Sequence, residues 1–421
     1  MYVVKATLLN ALLAYAPGIY LRFFRRGSSR RPVRRLSGES TSAAMQAGEP
    51  PRVLVVDSDF PDPTRDAGSK AIFHFVKLLV DEGVRLTFWS ASRTPSSRGR
   101  ARLAELGVES VARQRDCDFP RWLESIEGLK PFDAIVLSRP LVAAIYGWDA
   151  SLLGSRRCLY YGHDIHYLRL RAMRRVVGGL GVAFEAACMA RIERNIWRRQ
   201  GVVLYPSEEE VSVVNACRKA CGLSPNAALL PLWSAPDAPA ATPEPAGRRG
   251  MLFVGSHAHA PNVDGLDWLF ADVLPRARAH GCRDTVYVVG SGMERYVPPV
   301  ADPAVEVLGW LDEEALEALY ARVRVALVPL RYGGGVKGKV LEAMAQGVPC
   351  VVTTVAMQGL SAAAPALEPT DGATEFSDML VSLTADDGRW SRKSSMGLAY
   401  MHGTHGRAIV RRRVLELVLG R

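Results

Sequence analysis

At 421 residues, with 48% hydrophobic and 23% charged residues, the chain is long enough for two ordinary domains and too apolar to be disordered. Its seven cysteines, odd in number and scattered, exclude a disulfide framework and a metal-site spacing, so a reducing cytoplasm is expected. The formal charge of +10 is concentrated in residues 1–35, where Lys5 and seven arginines without one acid supply eight of the ten charges. A nucleic-acid-binding surface spread over the fold is thereby excluded.

Taken in chain order, residues 6–21 are uncharged and mostly apolar, but Asn10 and Pro17-Gly18 interrupt them and they are short for a spanning helix. Ala14-Tyr15-Ala16 resembles a signal-peptidase site, yet Pro17 follows it and the arginines come after rather than before. Two readings stay open for residues 1–35: a membrane-surface anchor held by acidic headgroups, or a mispredicted start or disordered leader. Residues 36–50 have linker composition, so 1–50 form a leader and linker.

From Pro51 the pattern changes. Arg52 to Asp57 reads as a buried strand. A helix follows with Ile72, Phe75, Val76, Leu79 and Val80 on one face, and Val84 to Trp89 reads as the next strand. This is a βαβ unit, the signature of a parallel sheet covered by helices. Further strands are expected at 134–137, 157–161 and 202–205, completing a domain over 51–228. Proline and alanine dominate 229–248, which reads as an interdomain connection. A second alternation begins at Met251 to Gly255, with helices expected near 263–278 and 313–322 and a strand at 285–289. It defines a domain over 249–385, followed by C-terminal helices over 386–421 able to cross back to the first domain.

The stretch from Pro329 to Thr353 carries the chemistry. It reads as strand, glycine-rich basic loop, helix and strand. Gly333, Gly334 and Gly335 let backbone N–H groups approach a ligand closely. Arg331, Lys337 and Lys339 add charge where a helix N-terminus already favours anions, and Glu342 follows one turn later. A P-loop is excluded because Val340 stands where Ser or Thr should hold Mg²⁺. The pattern suits a diphosphate in the loop and a sugar hydroxyl pair on the acid. Gly290-Ser-Gly292 also follows a strand, but Arg295 occupies the third glycine position of a dinucleotide fingerprint and no ribose acid follows, which argues against an oxidoreductase.

These residues resemble glycosyltransferase family 4. Phe253-Val-Gly-Ser, Val288-Val-Gly-Ser, Leu308-Gly-Trp, Lys337-Gly-Lys-Val-Leu-Glu-Ala-Met-Ala and Gly347-Val-Pro-Cys-Val-Val-Thr-Thr carry the resemblance strongly over about 250–360. Asp66-Ala-Gly-Ser and Tyr161-Gly-His-Asp-Ile-His-Tyr-Leu-Arg carry it more weakly over 51–215. The resemblance implies the α/β GT-B architecture, two Rossmann-like parallel-sheet domains facing across a cleft. It also implies sugar transfer from a nucleotide-sugar co-substrate with retention, without metal or other cofactor. Glu342 matches the second acid of the family's Glu-x7-Glu motif, which binds ribose hydroxyls, while Gly334 stands where the first acid belongs. The family's diphosphate-binding Arg/Lys pair is also missing after Gly255, so Arg331 and Lys337 are expected to take over that role.

Gly68, Ser69, Gly255, Ser256 and Gly290 are the remaining expected donor-binding positions, and His257, His259 and Asn262 are expected in the same cleft. His163 matches a histidine that faces the donor sugar; Asp164, His166 and Arg169 are expected on the acceptor side. A glycan or glycolipid acceptor in surface polysaccharide or glycolipid synthesis, on the cytoplasmic side of a membrane, is the implied setting. The missing first acid leaves a non-catalytic sugar- or nucleotide-binding scaffold as the alternative. A nucleotide-sugar epimerase of the same fold requires an acidic pair that the cleft motifs lack.

Overall fold

The computed structural model describes residues 10–16, 49–115, 117–126, 131–151, 155, 157–232 and 243–421. Most of the basic leader and the stretch 233–242 lie outside them. The described residues up to Leu230, with Arg411–Arg421, form one compact unit, and those within Pro231–Val410 form a second.

The first unit is built on seven parallel strands: β1 (Arg52–Asp57), β2 (Arg85–Ser90), β3 (Glu109–Ala112), β4 (Ala134–Ser138), β5 (Arg157–Tyr161), β6 (Val202–Tyr205) and β7 (Ala227–Leu229). Their order is β3-β2-β1-β4-β5-β6-β7. Central strands of parallel sheets are covered on both faces, so they read as unbroken apolar runs. Val53, Leu54, Val55 and Val56 of β1 are accordingly all fully buried. The connecting helices are α1 (Ala67–Asp81), α2 (Ser97–Glu105), α3 (Phe119–Ser125), α4 (Pro140–Ser151), α5 (His166–Val177), α6 (Leu180–Arg199) and α7 (Glu208–Lys219). Asp66 caps α1 by accepting from the Ser69 N–H at 2.8 Å, and the helix buries Ile72, Phe75, Val76 and Leu79, the face expected from their spacing. Trp89, Phe119 and Tyr146 meet edge to face in the core, with centroids 4.8 to 5.3 Å apart. Residues 10–15 are helical and bury Leu13 and Ala14 in this same core.

The second unit holds β8 (Met251–Val254), β9 (Val286–Val289), β10 (Val305–Gly309), β11 (Val325–Val328) and β12 (Cys350–Val352), all parallel, in the order β10-β9-β8-β11-β12. Its helices are α8 (Ala260–Trp268), α9 (Leu274–Ala279), α10 (Glu313–Arg322), α11 (Gly338–Ala345), α12 (Ala364–Leu367), α13 (Ala373–Ala385) and α14 (Asp387–His405), and α15 (Arg407–Val414) begins in it and ends in the first unit. A π turn at Leu269–Val273 joins α8 to α9. Pro275 explains it: the ring lacks a donor and collides with the carbonyl four residues back, so the ladder shifts register before it. Helix α14 docks through Trp390 Nε1, which donates to Arg324 O at 2.6 Å, and Lys393 Nζ, which donates to Pro365 O at 2.9 Å. After it the chain rejoins the first unit, where Arg411 pairs with Glu82 and Val414 and Val418 are buried.

Strand order reverses between β1 and β4 in one sheet and between β8 and β11 in the other. At such a point successive connections leave on opposite sides, which opens a crevice outside the carboxyl ends of the strands.

Candidate functional site

In the second unit the crevice lies between the loop after β8, starting at Gly255, and the loop after β11, from Pro329 to Lys337. Gly333 and Gly335 take φ of 153° and 67°, conformations that a side chain resists. Lys337 is buried, and its Nζ donates to Gly335 O at 2.6 Å and Gly334 O at 3.1 Å. Because trans peptides are planar, those carbonyls turn the N–H groups of Gly335 and Val336 the opposite way. Among the described residues these N–H groups, and those of Gly338 and Lys339 in the first turn of α11, have no acceptor. They form a set of orphan donors at the positive end of a helix.

Lys339 lies at the centre. Its Nζ donates to Asn262 Oδ1 at 2.8 Å, sits 4.5 Å from the centroid of the Phe253 ring, and approaches within 2.8 Å of the position a side chain on Gly255 would fill. Burial pushes its pKa down to about 7, against the pull of Glu342. Asn262 is itself fixed by donating to Ser256 O at 2.8 Å. Glu342 stands half-buried on the second turn of α11. His257 donates its N–H to Ser291 O at 2.9 Å, tying the loop after β8 to the Gly290 loop, whereas His259 is exposed. Arg331 is exposed and its guanidinium forms a two-pronged pair with Asp264 of α8, the Nε contact measuring 2.9 Å. Its charge is thus matched within the fold, and Lys337 is spent on the loop carbonyls, so the cation left facing the crevice is the half-buried Lys339. Among the described residues, no group of three or more His, Cys, Asp or Glu is placed to hold a metal ion.

In the first unit the crevice gathers Gly68, His163 and one residue that sequence reasoning passed over, Arg139. Arg139 follows β4 directly with φ of 72°, a strained value for a non-glycine residue. Its Nε donates to the buried Asp57 at 2.9 Å, and its terminal nitrogens lie 3.2 and 3.3 Å from where a side chain on Gly68 would be. The Asp57 charge holds the guanidinium firmly protonated. Ser69 is buried with its hydroxyl held between Asp66 and Arg65, so it serves the helix start. His163 Nε2 is 2.9 Å from Ser138 Oγ, while its Nδ1 is buried without a partner among the described residues. Burial, then the nearby Arg139, push its pKa down to about 3, so the ring is neutral.

Asp164, His166 and Arg169 form a separate cluster, with Asp164 contacting His166 Nε2 at 3.0 Å and Arg169 Nε at 2.9 Å. Burial alone would raise the Asp164 carboxyl, but the adjacent His166 and Arg169 outweigh it and hold it well below the usual carboxylate range. Two buried acids set the position of this segment: Glu193 accepts from the N–H groups of His166 and Tyr167 at 2.9 and 3.0 Å, and Glu210 accepts from Ile165 N at 3.2 Å. Burial pushes Glu193 up to about 8. Between 4.5 and about 8 the folded protein therefore binds a proton that the unfolded chain does not, so stability falls as pH rises through this window. Glu193→Gln should flatten that slope in urea denaturation series; an unchanged slope would show that another group sets it.

Residues 248–386 match the model of a family described as glycosyl transferases group 1, a span that contains the whole crevice of the second unit. Among solved structures, the Anabaena protein HepE in complex with UDP and glucose aligns with a TM-score of 0.60 at 13% identity, covering 87% of this chain and 98% of that one. The α,α-trehalose 6-phosphate synthase of Burkholderia multivorans aligns with a TM-score of 0.57 at 12% identity, over 87% and 98% of the two chains. An O-GlcNAc transferase mutant from Thermobaculum terrenum aligns with a TM-score of 0.51 at 14% identity, over 97% of this chain and 77% of that one. The comparison with curated proteins finds no match. Likeness at this identity establishes the fold, and the fold is that of GT-B proteins: two parallel-sheet α/β domains.

Proposed function

We propose that this protein transfers a sugar from a nucleotide-sugar donor to an acceptor hydroxyl. The observation that carries this reading is the half-buried Lys339 ammonium beside orphan N–H groups at a strand-order reversal, within the span matching group 1 glycosyl transferases. The diphosphate lies against the N–H groups of Gly335, Val336, Gly338 and Lys339, and Glu342 accepts from the ribose hydroxyls. Lys337 holds the loop through its carbonyls, and Arg331 fixes the loop to α8 through Asp264. As the nucleoside diphosphate departs, negative charge grows on its oxygens, and donors already in place stabilise it without reorganising.

The acceptor is assigned to the first unit, with the Asp164 cluster as its polar contacts, while His163, beside Arg139, faces the donor sugar. Retention of configuration by front-face attack, without metal or other cofactor, and a role in surface polysaccharide or glycolipid synthesis complete the proposal. Gly334, in place of the family's first acid, favours a second reading: a scaffold that binds nucleotide sugar without turnover.

Calorimetric titration with UDP-, GDP-, ADP- and dTDP-glucose tests the binding step; the Anabaena neighbour was crystallised with UDP-glucose, so UDP sugars come first. One donor is expected to bind, and an acceptor is expected to trigger nucleoside diphosphate release. Binding without release across acceptors supports the scaffold. Absence of binding by every donor defeats both readings.

A further inference from the structure

Several exposed large apolar side chains lie on one hairpin, α5–α6 of the first unit: Leu168 is 38% exposed, Val176 46%, Leu180 85% and Phe184 47%. Single exposed apolar residues are ordinary, but a contiguous patch marks an interaction site. On α6, Leu180, Phe184, Ala187 and Arg191 follow one another at helical spacing and are all exposed, whereas Cys188, Ile192 and Ile196 pack into the core. The stripe ends at Tyr15, which is 56% exposed, with the Arg191 guanidinium 5.1 Å from its ring centroid. Arg191 Nε also donates to Ala14 O at 2.8 Å, so the 10–15 helix is fastened to the same hairpin.

The exposed charge on this hairpin is predominantly positive. Arg171, Arg174 and Arg175 are exposed on α5, which contains no acid. Of the acids on α6, Glu185 is half-buried and Glu193 is buried beneath the α5 N-terminus. The sequence adds seven arginines between positions 22 and 35, shortly after Tyr15. Apolar side chains at the tip of a helix pair, flanked by arginines, match a surface whose apolar part enters the headgroup boundary while guanidinium groups meet lipid phosphates. Among the described residues no helix is long and apolar enough to cross a membrane, so the match is to lying on a bilayer. We infer that the α5–α6 hairpin, extended by Tyr15, docks on an anionic lipid surface.

The inference does not depend on the reaction. Full-length protein is sedimented with phosphatidylcholine vesicles prepared with and without phosphatidylglycerol. The wild type should co-sediment only with the anionic vesicles and be released by salt. Leu180→Ser with Phe184→Ser should lower the bound fraction about tenfold, and Arg171→Gln with Arg174→Gln and Arg175→Gln should lower partitioning on the order of a hundredfold. Circular dichroism should be unchanged in both and melting only slightly lowered, since Phe184 is about half exposed and Arg171 also rests on the Tyr167 ring. Failure of the wild type to bind anionic vesicles overturns the inference, as does equal binding by both variants through the arginine-rich leader alone. Lipid-free self-association that Phe184→Ser abolishes also overturns it, because it assigns the face to a second copy of the chain.

Discussion

Replacing Lys339 with methionine is expected to abolish nucleoside diphosphate binding at neutral pH and to slow sugar transfer by on the order of a thousandfold. Methionine matches the length of the stem but removes the charge that, among the described residues, contacts Asn262 Oδ1 and the Gly255 loop. Folding should not suffer. An ammonium buried this far disfavours the native state at pH values where it must be charged, as its pKa of about 7 records. Between about 7 and 10.5 the unfolded chain binds the proton that the folded one lacks, so wild-type stability rises with pH across that window and the variant should lose the rise. Diphosphate affinity should run the other way in the wild type, weakening as pH rises above about 7, and should be flat in the variant. Calorimetry over a pH series reads both trends. Full affinity in Lys339→Met would falsify the assignment of the diphosphate to this crevice.

Gly290→Ala is expected to destabilise the second unit by roughly 3 kcal/mol. The residue has φ of 142°, and a Cβ there would sit 2.0 Å from Gly255 O, a backbone atom that cannot rotate aside. Either β8 or β9 must shift, carrying with it the loop that faces Lys339. Gly281→Ala is the matched control: φ is 89°, but no atom lies within 4 Å of the new Cβ, so only backbone strain of about 1 kcal/mol remains. Equal losses in urea denaturation for the two variants would show that close approach does not govern the Gly290 position.

The strands that sequence reasoning passed over all lie at sheet edges, although the edge strand β12, an unbroken apolar run, was found. Central strands such as β1, β4 and β9 appear as dense apolar runs because both faces are covered. β3, β7 and β10 were not foreseen, and all three are sheet edges. β3 reads Glu-Ser-Val-Ala with no fully buried residue, so its pairing leaves little trace in hydrophobicity. The crevice of the second unit was legible because glycines, cations and the acid all fall between Arg331 and Glu342. What the sequence does not encode is which cation faces inward. Arg331 and Lys339 look alike as charges, and only Asp264 on one side and Asn262 on the other separate them. Arg139 was missed for the same reason: its partner Asp57 lies 82 positions away, across two neighbouring strands. The one local clue is a cation wedged between a buried strand and Pro140.

Three ties join the walls of the crevice in the second unit. Arg331 is clamped to Asp264, Lys339 reaches Asn262, and Gly265 is packed so closely that a side chain there would lie 2.6 Å from Pro329 O. The loop after β11 and helix α8 are consequently one rigid body before any ligand arrives. Ordering a loop residue costs about 1–2 kcal/mol of conformational entropy, and here that cost is met at folding instead of at binding. A diphosphate entering this crevice should therefore associate with little conformational adjustment on the protein's side, and free nucleoside diphosphate should leave the backbone dynamics of residues 329–339 nearly unchanged.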